Sequence, residues 1–144
     1  MNKNTIVSRV LLVDGILLLI LAFIHLFSTP LISKWLSREL TAESLSNISP
    51  PFLLNHLVVG VLLIPFGIST MYSASGVRAG HPWARGIAIT NALAVLILPL
   101  IVVVLMGPEY FNSKPFLAAT VLITVIGLSM FLTLIWLAGK SKNT

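Results

Sequence analysis

The chain of 144 residues contains no cysteine. That absence excludes disulfides, thiolate nucleophiles, CxxC redox pairs and thiolate-bound iron–sulfur clusters. Charge is nearly as scarce, because only 9% of the residues are charged and only four are acidic, Asp14, Glu39, Glu43 and Glu109. An ordinary soluble domain is about one quarter charged, so this chain has too little polar surface to clothe a water-facing core. Sequence signatures of soluble catalysis are missing too: there is no GxSxG elbow, no HExxH, no phosphate-cradling glycine loop and no pair of carboxylates set for acid/base work. Glu39 and Glu43 lie beside Lys34 and Arg38 and read as a solvated face. The net charge of +5 comes from nine Lys and Arg spread over termini and loops. With no basic stripe and no interleaved aromatics, it excludes nucleic acid as a partner.

What the chain has in abundance is apolar length: 57% of it is hydrophobic, with a mean hydropathy of +1.03. This points to an all-α polytopic integral membrane protein, solvated by a lipid bilayer as one transmembrane domain. Four runs are long enough for a hydrocarbon core of ~30 Å, about 6–28, 52–72, 84–106 and 116–137. The first follows a short basic lead but exceeds the length of a signal-peptide core and ends in Phe-Ser-Thr-Pro, so it is expected to be retained. At Ser28-Thr29-Pro30, a hydroxyl cap followed by proline predicts that the helix stops and restarts as a short amphipathic segment over 30–40. Pro50-Pro51 predicts a second break, and Pro65 a kink. Short connections favour an up-down-up-down bundle.

Charge bias orients it. Lys3, Arg9, Arg78, Arg85, Lys140 and Lys142 fall in segments without acidic residues, whereas Lys34, Arg38 and Lys114 are mixed with Glu39, Glu43 and Glu109. The positive-inside rule places both termini in the cytoplasm of a cell with this protein in its cell membrane, and the amphipathic segment outside. Trp83, Trp136 and Tyr72 then fall at the inner interface, and Trp35 and Tyr110 at the outer one. His81, with Arg78 and Arg85, is placed to meet lipid headgroups.

The polar residues inside the spans carry the functional question. Asp14 and His25 are eleven positions apart, which returns to within about 20° of one helix direction over ~16 Å. Asp14 and Asn91 are expected at one depth near the cytoplasmic side, with Ser129 or Thr133 close by; Arg9 and Arg85 are alternative partners for the carboxylate. His25 and His56 are expected at one level near the outer side, with Asn55, Thr120 and Thr124 at similar depth. Two histidines on facing helices are how a b-type haem is held, and Gly60, one turn from His56, would give a porphyrin room. The plainer reading is interfacial hydrogen bonding. A metal alone would lack ligands. His56, Gly60 and Gly67 share one face, and Thr120, Thr124 and Gly127 another, both suited to close helix packing.

These features support a membrane binding or accessory protein without demonstrable enzyme activity, packing within an assembly of other subunits or copies of itself and carrying a ligand at His25 and His56. The alternatives are a small proton- or cation-coupled transporter using Asp14 and Asn91, and a haem-bearing oxidoreductase subunit.

Overall fold

The computed structural model describes residues 2–107 and 111–139. Glu109, Tyr110, Lys140 and Lys142 lie outside the described residues. The fold is all-helical: α1 Lys3–Glu39, α2 Ala42–Ala79, α3 Pro82–Met106 and α4 Lys114–Ala138. All four helices are long and apolar enough to cross a membrane, the signature of a small multi-pass membrane protein. Lipid supplies no hydrogen bonds, so a spanning backbone must satisfy itself within a helix.

Local chemistry sets the ends. The Asn2 side chain accepts from the Asn4 amide at 3.2 Å and the Thr41 hydroxyl from the Ser44 amide at 3.4 Å, starting α1 and α2. Gly80, at φ 83°, closes α2. The His81 amide donates to Gly76 O at 2.9 Å across that turn, a geometry an L side chain would strain. Pro82 then opens α3, where a missing amide hydrogen costs nothing.

Two expected breaks are corrected. α1 runs through Pro30, so 30–39 is the end of α1 and not a separate amphipathic helix. α2 begins at Ala42 and runs through Pro50, Pro51 and Pro65. A proline deprives the carbonyl four residues back of its donor, which for Pro50 and Pro51 means Ser46 and Asn47. Both are exposed, so water can serve their carbonyls. The Thr41 cap also gives this helix a strong start well before the prolines.

The helices form a four-helix bundle in which each packs on its sequence neighbour and α1 closes on α4. Contacts between α1 and α2 run in opposite order. A Cβ built on Gly15 would lie 2.6 Å from Met71 Cγ and 2.9 Å from Gly67 O, and one on Gly67 would lie 2.7 Å from Leu19 Cγ and 2.9 Å from Gly15 O. One on Gly60 would meet His25 Cβ at 3.0 Å. Gly127 seats Leu96 between α3 and α4, and Gly76 seats Ala84 and Trp83 between α2 and α3. Val7, Leu11, Leu18, Leu63, Val95, Ile126 and Met130 fill the core. The perimeter is equally apolar, with Phe27, Leu100 and Val104 well exposed, as lipid contact requires.

Helix lengths differ in a way that shapes the molecule. At one end Asn4 lies beside Gly80 and Lys3 Nζ reaches Trp136 O at 3.4 Å, so the four helix ends there are flush. α1 has 37 residues and α2 has 38, against 25 each for α3 and α4. At 1.5 Å per residue, the α1–α2 hairpin stands about 18 Å proud of its neighbours at the other end. The prolines at 30 and 50–51 mark where it leaves the bundle.

The glycine contacts are testable by contrast. Gly67→Val should destabilise the purified protein by about 1–3 kcal/mol, because backbone blocks the new side chain. Gly86→Ala, with nothing within 4 Å, should be neutral or stabilising by up to ~1 kcal/mol. Thermal unfolding of both variants in detergent checks this.

Candidate functional site

The intramembrane polar residues occupy three separate places. Asp14, in the first half of α1, is only 4% exposed. Ser129 of α4 lines the same cleft as its carboxyl, while Oδ2 is buried and has no hydrogen-bond partner among the described residues. A shallow cleft of about 290 Å³ along the α1–α4 seam is lined by Arg9, Val10, Val13, Asp14 and Ser129. Asn91 faces a different helix. Its Nδ2 donates to Ser69 Oγ at 2.7 Å and to Thr70 Oγ1 at 3.1 Å, tying α3 to α2. The expected pairing of Asp14 with Asn91 is therefore corrected: Asn91 bonds α2, and Asp14 lines the α1–α4 seam. Arg85 Nε is likewise buried and unbonded among the described residues.

Between this level and the histidines the core is lined by apolar side chains. Leu18 is 0% and Leu21 4% exposed, and Leu63, Val95 and Ile126 pack with them. The polar side chains on α4 along this stretch, Thr120 and Thr124, donate to their own helix.

His25 and His56 do come together, with rings stacked at a centroid distance of 4.6 Å and an interplanar angle of 28°. The proton on His25 can be placed from its partner. Leu21 O can only accept, so the His25 Nδ1–H donates to it at 3.0 Å. Ser28 Oγ hydrogen-bonds His56 Nε2 across the two helices at 3.0 Å and lies 3.2 Å from His25 O. Thr29 Oγ1 also donates to His25 O, at 2.8 Å. The pair is thus a hydrogen-bonded clasp between α1 and α2 at the base of the projecting hairpin.

This clasp does not fit a haem. A porphyrin held by two imidazoles must lie between their nitrogens, each about 2 Å from the metal, whereas these rings stack face to face. The room expected beside Gly60 is filled by His25 Cβ and Leu26. No group of three or more His, Cys, Asp or Glu side chains is placed to hold a metal among the described residues.

Other candidates fall elsewhere. Asn55 is exposed beside the clasp. Thr120 and Thr124 donate to their own helix, to Phe116 O at 2.9 Å and Thr120 O at 2.7 Å. Gly60, Gly67 and Gly127 are buried, and the helices packed on them belong to this same chain. Sequence reasoning passed over Ser28, Ser69 and Thr70, whose only signal was a hydroxyl at the depth of a histidine or an asparagine.

No family model, curated protein or solved structure matches the chain.

Interhelical bonds of this kind are worth ~0.6 kcal/mol on average and at most ~2 in membranes. Asn91→Leu should therefore cost about 1 kcal/mol. Ser69→Ala and Thr70→Val should each lose part of that, and neither should add to the loss in the Asn91→Leu background. Additive losses in a double-mutant cycle would show that these bonds are not the seam.

Proposed function

We propose that the protein is a membrane accessory subunit: an up-down-up-down bundle in the cell membrane, both termini cytoplasmic, that presents the α1–α2 hairpin on the outer side to another membrane protein or a second copy. The observation that carries this reading is the hairpin itself, extending about 18 Å beyond the bundle where a span alone would not need it. Its tip carries Leu31, Trp35 and Ile48, all about half exposed or more, alongside Lys34, Arg38, Glu39 and Glu43. Apolar anchors ringed by charges of both signs suit recognition of a protein surface. The orientation is supported by the cations of the flush end, Lys3, Arg9, Arg78 and Arg85.

Transport through Asp14 and Asn91 has one observation in its favour, the unpartnered Asp14 Oδ2. Two weigh against it: Asn91 is committed to Ser69 and Thr70, and leucines seal the interior above Asp14.

Photo-crosslinking in native membranes tests the reading. A crosslinker at Trp35 or Ile48 should give a discrete protein adduct, and one at Val125, on the lipid-facing perimeter, should give lipid adducts alone. Only lipid adducts from the hairpin positions would remove the accessory role. Proton or cation flux in proteoliposomes that disappears in Asp14→Asn would establish the transport reading in its place.

A further inference from the structure

Beyond Gly60 the seam between α1 and α2 changes character. From 28 to 56, across the projecting hairpin, Leu36 is the single buried side chain among the described residues. Apolar packing therefore holds the two helices together only weakly there. Each has also lost backbone bonds to proline: Pro30 deprives Leu26 O of its amide donor, and Pro50 and Pro51 deprive Ser46 O and Asn47 O. The histidine clasp stands at the foot of this segment. Pro30 follows His25 by five residues and Pro51 precedes His56 by five, so both helices are weakened just above it.

The clasp is built from two half-buried imidazoles stacked at 4.6 Å with 28° between their planes. His25 Nδ1 bonds Leu21 O and His56 Nε2 bonds Ser28 Oγ, each at 3.0 Å. Imidazole is the side chain whose ordinary titration crosses the physiological range. One proton can be accommodated, because an imidazolium over a neutral aromatic ring is an attractive stack. Two protons bring like charges to stacking distance, where a partly buried setting screens them less than water would.

Among the described residues no carboxylate stands close enough to offset a second charge. On α1 the neighbouring ionisable groups are Asp14, eleven residues toward the flush end, and Lys34, nine residues toward the tip; on α2 the nearest is Glu43, thirteen residues away. At 1.5 Å per residue, the two carboxylates are about 16 and 20 Å off along their helices. α3 carries only Arg85, in its first turns at the flush end, and α4 only Lys114, its first residue; both are cations. Glu109, between α3 and α4, lies outside the described residues.

We propose that the stacked pair of His25 and His56 is a pH-sensitive latch. It is closed while the pair holds at most one proton and parts when both rings are protonated, so that α1 and α2 bow apart between the Gly60 contact and the joint at Leu40–Thr41. The prolines above it supply the give that bowing needs. Acid thus reshapes the hairpin from its base, whatever docks on its tip and whichever side of the membrane it occupies.

The test exploits the absence of native cysteine. Nitroxide labels are placed at Leu31→Cys and Leu54→Cys, positions on α1 and α2 beside the clasp that are both more than half exposed. Their separation is read by double electron–electron resonance on the full chain in lipid nanodiscs, at about pH 8 and about pH 5, either side of the imidazole range. One short separation at the higher pH should lengthen by several ångström at the lower, with helical content unchanged by circular dichroism. A second labelled pair, Ile20→Cys with Leu62→Cys, lies on the other side of Gly60 and should not move. Because parting needs both charges, His25→Gln alone or His56→Gln alone should abolish the shift, and either variant suffices where the other fails to fold. Glu109→Gln should leave the shift intact. An unchanged Leu31–Leu54 separation, a shift that survives in a folded histidine variant, or its loss in Glu109→Gln would overturn the latch. So would an equal shift at the Ile20–Leu62 pair, which would assign the effect to loosening of the whole bundle.

Discussion

The crossing of α1 and α2 at Gly15 and Gly67 is the contact from which the rest of the structure takes its register. Each glycine faces the other's carbonyl oxygen, and a Cβ on either would lie 2.9 Å from it. In lipid no hydrophobic force drives one apolar helix onto another, so association rests on close van der Waals contact and on the bonds that such closeness permits. Weak Cα–H···O contacts belong to the same geometry. Once 15 is set against 67, one end of the hairpin brings Gly60 to His25 and Ser28 to His56, and the other brings Asn4 to Gly80. The clasp, the flush end and the proud hairpin are thus consequences of one close approach.

The existence and placement of the four helices were legible in the sequence because lipid leaves the backbone no alternative, and apolar runs of that length have few other uses. The prolines were the point at which local rules misled. In a water-facing helix, Pro30 and Pro50-Pro51 predict breaks, because a turn can recover the lost bond from solvent. Here the chain keeps its helices and loses single bonds instead. At Ser46 and Asn47 the stranded carbonyls are exposed to hydration, and around Pro30 the hydroxyls of Ser28 and Thr29 turn back onto the helix at His25 O. The prolines kept a meaning that the pattern alone did not reveal: they stand where α1 and α2 part from α3 and α4.

The direction in which each polar side chain faces was not legible. Asp14 and Asn91 were placed at one level, but a level contains four helices and several seams. Which neighbour a side chain meets depends on how each helix is rotated, and in a chain that is apolar on every side the periodicity that would show this is almost flat. The histidines succeeded where Asp14 and Asn91 did not because they sit on consecutive helices joined at Leu40–Thr41, which leaves them one seam to share.

The polar residues, once assigned, divide the seams unequally. Asp14 of α1 lies beside Ser129 of α4, Asn91 fastens α3 to α2 through Ser69 and Thr70, and Ser28 fastens α1 to α2 through His56. The α3–α4 seam is held by Leu96 against Gly127, an apolar contact. Membrane hydrogen bonds contribute too little for the first three to decide whether the bundle forms. Their effect is on which partner each helix accepts, because a helix rotated away would strand an asparagine or a carboxyl in hydrocarbon. A rotation of α3 against α4 would strand nothing polar at their own seam; it is opposed instead by the Asn91 bonds that hold α3 to α2. The bundle therefore has a stiff pair, α1 with α2, and a second pair whose arrangement is set mainly by its attachment to the first. A partner that engages the projecting hairpin grips the stiff pair directly.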